Sequence, residues 1–213
     1  MTVTVVAEAR DIAGPVAVRV EGLTVAPRGP DLDEALRAAE ARLREPSAAR
    51  DAAAGRTRAM YRRFGVDPTR TRPSSEALWR RVRKGERLPA VNNLVDVINW
   101  CSVESQVPFG LYDAAAIGEA VTLRLGREGE AYEGIRKDRV NLAGRLVLAD
   151  ERGAFGNPTS DSARSMVTDT TRTVLVVLFA PADMPRADAD ALAALTRERL
   201  LQYGGARQPQ NPK

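Results

Sequence analysis

The sequence predicts a mixed α/β (α+β) fold in which a central sheet is flanked by helices. Apolar residues alternate along Val16–Val20 and Val121–Leu125, as in half-buried strands. A nearly continuous apolar run from Val174 to Ala180 is typical of a central strand buried on both faces. The segment from Asp31 to Leu43 instead places its leucines at helical spacing, with acidic residues in the first turn.

The N-terminal region contains two predicted strands and two predicted helices. Val3 and Val5 indicate the first strand, and the Gly-Pro pair before Val16 separates it from the second. After the Asp31–Leu43 helix, PSAARDAAAGRTRAMYRRFG predicts another helix that ends at Gly65. We expect residues 1–59 to pack as strands and helices on the remainder of the chain.

Two helices are predicted in the middle of the chain. RPSSEALWRRVRKG forms the first, with either Arg72 or Ser74 as its N-cap. VNNLVDVINWCSVESQ forms the second, from Val91 to about Ser105, and Asn92, Asp96 and Asn99 lie along one side of it at i, i+4 and i+7. Such a polar stripe either faces a pocket or bonds to neighbouring loop ends.

The C-terminal half alternates between strand signals and loops. AVTLRLG, RLVLAD and TRTVLVVLFAP predict strands, and the segment ERGAFGNPTSDSARSMVTDTTR between the last two predicts a loop. DADALAALTRERLLQ predicts a C-terminal helix within residues 183–205, and residues 206–213 are expected to be a disordered tail.

Composition excludes several classes of site. The chain has no histidine, which excludes the usual zinc sites and histidine-based triads, and no metal or cofactor is expected. The single Cys101 excludes an intramolecular disulfide and is predicted to be a buried core residue. No apolar run is long enough to cross a bilayer, and Glu8 and Arg10 interrupt the first segment, so we expect a cytoplasmic protein with no membrane partner.

Positive charge is concentrated in one segment. Residues 56–87 carry eleven Lys and Arg against three acids, although the whole chain has a net charge of only +4. A concentrated basic segment is typical of a surface that binds a phosphate-rich partner. The alternative is an ordinary helix surface whose arginines pair with acids elsewhere in the chain.

Two stretches carry a family resemblance: DPTRTRPSSEALWRRVRKGERLPAVNNLVDVINWCSVESQVPFGLYD and GNPTSDSARSMVTDTTRTVLVVLFAP. They resemble the B3/B4 module of the β subunit of bacterial phenylalanyl-tRNA synthetase, and more closely the freestanding B3/B4-domain proteins. The resemblance covers roughly residues 60–182 and implies a B3/B4-like core there, with a pocket between the polar-striped helix and the glycine loop. In the synthetase, this module hydrolyses tyrosine wrongly attached to the phenylalanine tRNA.

Three pocket positions of the family are retained in this sequence. Asn99 matches a pocket residue, Pro108 matches the proline that precedes the histidine of the family, and Gly156 matches a glycine of the pocket loop.

Three other positions depart from the family pattern. Gly110 stands in place of the histidine, Ile98 in place of a threonine, and Val177 near the glutamate that recognises the tyrosine hydroxyl. Without an acceptor for that hydroxyl, the physical basis for selecting tyrosine is absent, so the resemblance implies an altered substrate.

The GNPTSDS loop carries the polar groups best suited to chemistry. Asp161 is the candidate catalytic residue, because its carboxylate is able to hold a substrate ammonium or to orient a water. Backbone amides from Gly156 to Thr159 are candidate oxyanion donors, and an activated ester needs little more than a positioned water. The alternative is that Thr159 to Ser162 is a loop stabilised by turns of its own side chains.

We therefore expect a tRNA-associated B3/B4-domain protein that acts in trans as an editing hydrolase of mischarged aminoacyl-tRNA. The alternative is a non-catalytic protein that binds a free amino acid or small metabolite. The expected ligands of the aminoacyl group are Asn92, Asn99, Pro108, Gly110, Gly156, Thr159 and Ser160. The expected contacts to RNA phosphates are Arg62, Arg63, Arg70, Arg80, Arg81, Arg83 and Lys84.

Overall fold

The computed structural model describes residues 3–136 and 138–205. Its helices are α1 (Ala7–Arg10), α2 (Pro30–Arg44), α3 (Ala48–Arg63), α4 (Ser74–Arg83), α5 (Asn93–Ser105) and α6 (Arg186–Gly204). Its strands are β1 (Val3–Val5), β2 (Val16–Val20), β3 (Phe109–Asp113), β4 (Val121–Leu125), β5 (Ala131–Glu133), β6 (Arg139–Asn141), β7 (Leu146–Asp150), β8 (Gly153–Gly156) and β9 (Val174–Leu178). The predicted mixed α/β class is confirmed.

Strand β9 lies at the centre of a three-stranded antiparallel sheet ordered β2-β9-β3. Its side chains alternate between two cores, because successive residues of a strand point to opposite faces. Val174, Val176 and Leu178 pack against the helices, and Leu175 and Val177 pack on the other side. All five residues are buried, which confirms the prediction of a central strand covered on both faces.

A second sheet, ordered β1-β4-β7-β8, covers the other face of the three-stranded sheet. Strand β1 pairs with β4 in parallel, and the remaining pairs are antiparallel. Strands β5 and β6 form a separate short hairpin. The N-terminal region contributes β2 to the central sheet, and the domain boundaries at residues 60 and 182 stay predictions.

Strands β3, β5, β6 and β8 were not predicted from the sequence. Strand β3 carries Gly110 between Phe109 and Leu111, which interrupts the alternation of side chains. Strand β8 lies inside the segment that we expected to be a loop. Strands β5 and β6 have three residues each, too few to show a period.

The helix starts also differ from expectation. Helix α5 begins at Asn93 rather than Val91, because Asn92 is its N-cap and accepts a hydrogen bond from the amide of Val95. Pro73 occupies the N-cap position of α4, so neither Arg72 nor Ser74 fills that role. Residues 206–213, expected to be a disordered tail, lie outside the described residues.

Cys101 is fully buried on α5, as predicted, and burial raises the pKa of its thiol. None of the helices within residues 3–136 and 138–205 is long and apolar enough to cross a membrane. The same residues contain no cluster of three or more carboxylates or cysteines placed to hold a metal ion.

Candidate functional site

A cavity of about 490 Å³ opens between α5, β3 and the chain that follows β8. Its apolar lining consists of Val91, Val95, Ile98, Phe109, Leu111, Ile135, Met166 and Val167. Its polar lining consists of Asn92, Asn99, Arg136 and Asp161. An apolar cavity of this size with a few converging polar groups is typical of a small-molecule binding site.

The wall of the cavity formed by α5 and Val91, here called the helix wall, uses most of its polar side chains for structure. Asn92 caps the helix, and the buried Asp96 accepts hydrogen bonds from Arg28 at 2.8 Å and from the amide of Val91 at 3.0 Å. Asn99 differs, because its half-buried amide makes no hydrogen bond within the described part of the chain. Asn99 therefore keeps a donor and an acceptor for a ligand.

The sequence left open whether the polar stripe faces a pocket or bonds to loop ends, and its residues do both. Asn92 and Asp96 bond to the chain ends beside their helix, and Asn99 faces the cavity. Asn93, outside the stripe, ties α5 to the N-terminal and C-terminal regions through the carbonyls of Thr24 and Tyr203.

The opposite wall, residues 157–167, is here called the loop wall. The side-chain oxygen of Asn157 accepts hydrogen bonds from the backbone amides of Thr159 and Ser160, each at 2.8 Å. This Asx-type turn occupies the amide of Thr159, one of the expected oxyanion donors. Within the described residues, the side-chain amide of Asn99 has no protein acceptor, so it is one of the donors that the cavity keeps for a ligand.

Three tyrosines hold the loop wall from outside. Tyr61 of α3 donates to the carbonyl of Pro158 at 2.8 Å, and Tyr132 of β5 donates to the carbonyl of Ser160. Tyr112 of β3 donates to a side chain instead, the Asp161 carboxylate, at 2.9 Å. Burial raises the pKa of all three phenols, so each stays protonated and remains a donor at neutral pH.

The contacts that these three hydroxyls make with the loop wall were not predicted from the sequence. The spacing of the tyrosines in α3, β3 and β5 resembles that of ordinary core aromatics, and only the contacts of their hydroxyls distinguish them. A tyrosine in a segment predicted to be buried needs a hydrogen-bond partner for its hydroxyl. That requirement is the one sign in the sequence that such a tyrosine bonds to a neighbouring element.

The ring of Tyr112 lies between Gly110 and Gly156. A Cβ added to Gly110 would lie 1.9 Å from the Tyr112 hydroxyl oxygen, and one added to Gly156 would lie 2.2 Å from it. The two glycines therefore provide the space in which the phenol reaches Asp161.

The structure brings three of the sequence-predicted residues to the cavity, namely Asn92, Asn99 and Asp161. The other five, Pro108, Gly110, Gly156, Thr159 and Ser160, are not among its lining residues. Gly110 and Gly156 instead contact Tyr112, and the carbonyl of Pro108 accepts a hydrogen bond from the amide of Phe179. Their assignment as substrate ligands stays a prediction.

The seven expected RNA contacts are all exposed. Several already have partners: Arg63 donates to the carbonyl of Asp11, Arg70 and Arg81 pair with nearby acids, and Arg83 lies over the ring of Trp79. Within the described residues, no ion pair involves Arg62, Arg80 or Lys84, so their charges are available to a partner.

The basic residues occupy two separate depressions of the surface. Arg80, Arg81 and Lys84 line one together with Pro89, two residues from the cavity-lining Val91. Arg63 and Arg70 line the other, beside Arg145. A short connection, residues 85–90, thus joins the basic end of α4 to Val91, where the helix wall of the cavity begins.

Comparisons with known proteins match this architecture. A family model described as B3/4 domain matches residues 56–191. The phenylalanine–tRNA ligase beta subunit of Neisseria meningitidis is 33% identical over 96 residues, 43% of this chain and 12% of that protein. The corresponding subunit of Brucella abortus is 33% identical over 82 residues, 38% of this chain and 10% of that protein. The chain thus matches about a tenth of the length of these relatives.

A crystal structure also shares the fold. It is an N-terminal fragment of the phenylalanyl-tRNA synthetase beta-subunit from Pyrococcus horikoshii, with a TM-score of 0.52 and 14% sequence identity. The alignment covers 96% of this chain and 49% of that fragment. Because the family model matches more than half of the sequence, the chain belongs to the B3/4 domain family.

Proposed function

We propose that this protein associates with tRNA, binds the aminoacyl end of a mischarged tRNA in the cavity and hydrolyses the ester bond in trans. One observation carries the proposal: Asn99 from the helix wall and Asp161 from the loop wall line the same largely apolar cavity. Membership of the B3/4 domain family supports it, since the matched relatives are beta subunits of phenylalanine–tRNA ligase.

The polar groups of the cavity suit an aminoacyl ester. In this proposal the Asp161 carboxylate, which lines the cavity, accepts the α-ammonium group, and the apolar lining contacts the amino-acid side chain. The Asn99 amide is able to donate to the carbonyl oxygen as negative charge develops there. In this proposal a bound water attacks the ester carbonyl carbon, the bond to the tRNA ribose oxygen breaks, and a proton of that water passes to the leaving oxygen. Because an aminoacyl ester is already activated, this step does not depend on a histidine base.

The basic end of α4 suits the RNA. Arg80 and Lys84 have no protein ion pair within the described residues. Pro89, which lines the same depression as they do, is two residues before Val91, which lines the cavity. In this proposal they contact backbone phosphates while the aminoacyl end enters the cavity. Phosphate contacts release counterions, which makes such binding strongly dependent on salt.

Deacylation of a panel of mischarged tRNAs tests the catalytic part. Wild-type protein is expected to release the amino acid from at least one member, and Asn99→Ala and Asp161→Asn are expected to lower kcat/KM by roughly tenfold to a thousandfold. Asp190→Asn, an exposed charge-matched control on α6, should leave the rate unchanged. Failure of the wild type to deacylate any member would sink the catalytic proposal.

Binding of bulk tRNA at several salt concentrations tests the RNA part. The double variant Arg80→Glu/Lys84→Glu should weaken binding and make the slope of log K against log salt shallower by roughly 1 to 2. The control Arg127→Glu/Arg197→Glu makes the same charge change at exposed sites away from α4. Equal effects of the two double variants would reject a specific RNA contact at α4.

A second candidate function is binding of a free amino acid without catalysis. It is favoured by Arg136, whose guanidinium lines the cavity together with Asp161 and is able to pair with a free carboxylate. Calorimetry with free amino acids distinguishes the two. Binding that is lost in Arg136→Ala and is unaffected by Arg80→Glu/Lys84→Glu, with no deacylation, would select this function.

A further inference from the structure

Tyr112 differs from the other two tyrosines that hold the loop wall. Tyr61 and Tyr132 donate to backbone carbonyls, whereas Tyr112 donates to Asp161, whose side chain lines the cavity. A phenylalanine at position 112 would fill almost the same space in the core. The hydroxyl is therefore the part of Tyr112 that contacts a cavity-lining residue, Asp161.

The residues packed around Tyr112 restrict the orientation of its ring. The ring is fully buried, contacts Phe155 edge-on with centroids 5.0 Å apart, and passes between Gly110 and Gly156. A side chain at either glycine would overlap the phenol oxygen. The absence of side chains at Gly110 and Gly156 thus leaves the room that the hydroxyl needs to reach Asp161.

A protonated phenol is a suitable group for holding a carboxylate. Burial and the nearby Asp161 charge keep the Tyr112 hydroxyl protonated, so it acts only as a donor towards Asp161. A carboxylate offers about four lone-pair sites, and the hydrogen bond from Tyr112 occupies one of them and fixes the orientation of the group. Hydrogen bonds to charged groups are among the stronger ones in proteins.

We propose that Tyr112 is a positioning residue whose hydroxyl holds the Asp161 carboxylate at the cavity wall, where it receives the ammonium of an amino-acid ligand. The ligand class is an α-amino acid derivative with a free ammonium group and an apolar side chain, which lies against the apolar lining. This inference rests on the proposed function and deepens it by naming what the cavity selects.

Calorimetry with stable ester mimics tests the inference. The probes are the amides of L-leucine, L-methionine and L-phenylalanine, each compared with its N-acetyl amide, which lacks the ammonium charge. Wild-type protein is expected to bind at least one amide at least tenfold more tightly than its N-acetyl form. Tyr112→Phe should raise the Kd of that amide by roughly tenfold to a hundredfold and leave the N-acetyl form unaffected.

The matched controls are Tyr61→Phe and Tyr132→Phe, each of which removes a hydrogen bond from a phenol to the loop wall but none to the carboxylate. They should change the Kd by less than about threefold, and Asp161→Asn should abolish the preference for the ammonium form. The inference is overturned if Tyr112→Phe behaves as wild type, if all three phenylalanine variants weaken both ligand forms alike, or if wild type shows no preference for ammonium.

A spectroscopic measurement decides the case if Tyr112→Phe does not fold. The chain has four tyrosines, so 3-fluorotyrosine labelling produces four fluorine resonances, and phenylalanine variants at Tyr61, Tyr132 and Tyr203 assign that of Tyr112 by elimination. The Tyr112 resonance should move on addition of the bound amide and in Asp161→Asn. A resonance that stays in place in both experiments rejects the inference.

Failure of this inference is distinguishable from failure of the proposed function. Ammonium-selective binding without deacylation of any tRNA would remove the proposed catalysis and keep the role of Tyr112. Deacylation that is equally fast in Tyr112→Phe would keep the proposed function and remove the role of Tyr112.

Discussion

The two walls of the cavity use polar side chains in opposite ways. On the helix wall, the side-chain oxygen of Asn92 caps α5 and Asp96 accepts from Arg28 and from the amide of Val91, whereas the Asn99 amide has no hydrogen bond within the described residues. The loop wall is instead held by three tyrosines from other elements, and Asp161 from that wall lines the cavity. A helix satisfies its interior backbone groups itself, whereas an irregular loop needs donors from its neighbours.

Removing the buried ion pair of the helix wall is expected to have the largest effect on stability. The side chain of Asp96 is 0% exposed and that of Arg28 is 9% exposed. Asp96→Ala leaves a buried guanidinium without its closest carboxylate, which should lower the free energy of unfolding by about 3 to 5 kcal/mol.

Urea denaturation measures this difference, with Asp190→Ala as the control for an exposed pair. That pair on α6 should contribute about 0.5 kcal/mol or less. Similar losses in the two variants would mean that the helix wall does not depend on its buried ion pair.

An acid-sensitive ion pair, Arg124 with Glu130, joins β4 to the residue that precedes β5. Hydrogen bonds from Arg124, 2.6 Å away, lower the pKa of Glu130 from 4.5 to about 2, although partial burial opposes the shift. Because the folded pKa is the lower one, this contribution to stability is complete above about pH 4.5 and is lost as the pH falls towards 2. At about 1.4 kcal/mol for each pKa unit, the fall from 4.5 to about 2 corresponds to about 3.5 kcal/mol. Solvent screening of this partly exposed pair reduces the contribution to roughly 2 to 3 kcal/mol.

Glu130→Gln isolates that contribution. The difference in unfolding free energy between wild type and variant, measured by urea denaturation at a series of pH values, should be greatest near neutral pH and vanish near pH 2. A difference independent of pH would contradict the assigned pair.

Crowding the space around Tyr112 should have a smaller effect. Gly156→Ala places a Cβ within 2.2 Å of the phenol oxygen, and overpacking of this kind costs about 1 to 3 kcal/mol. Gly55→Ala, in the exposed middle of α3 with no atom within 4 Å, should stabilise the protein by about 0.5 to 1 kcal/mol. Thermal denaturation compares the two, and equal shifts would show that Tyr112 adapts freely to a new side chain.

The sequence predicted most elements that have a strong period. Strands β2, β4, β7 and β9 and helices α2 to α6 lie in the segments for which the sequence predicted them. Strands β3 and β8 escaped prediction because each contains a glycine that faces Tyr112. For Gly156 of β8 that side chain comes from a different strand, whereas Gly110 and Tyr112 lie on the same strand, β3.

The sequence by itself determined the mixed α/β class, the buried central strand, the absence of histidine chemistry, and Asn99 and Asp161 as candidates. Local periodicity and residue chemistry are sufficient for all of these except Asn99, which the family resemblance selected from the polar stripe. Only the tertiary structure decided that Asn99 and Asp161 share a cavity, that Asp96 is committed to Arg28, and that Tyr112 contacts Asp161. Tyr112 and Asp161 are 49 positions apart in the sequence, and Arg28 and Asp96 are 68 apart. Only the packing of the folded chain brings such distant residues into contact.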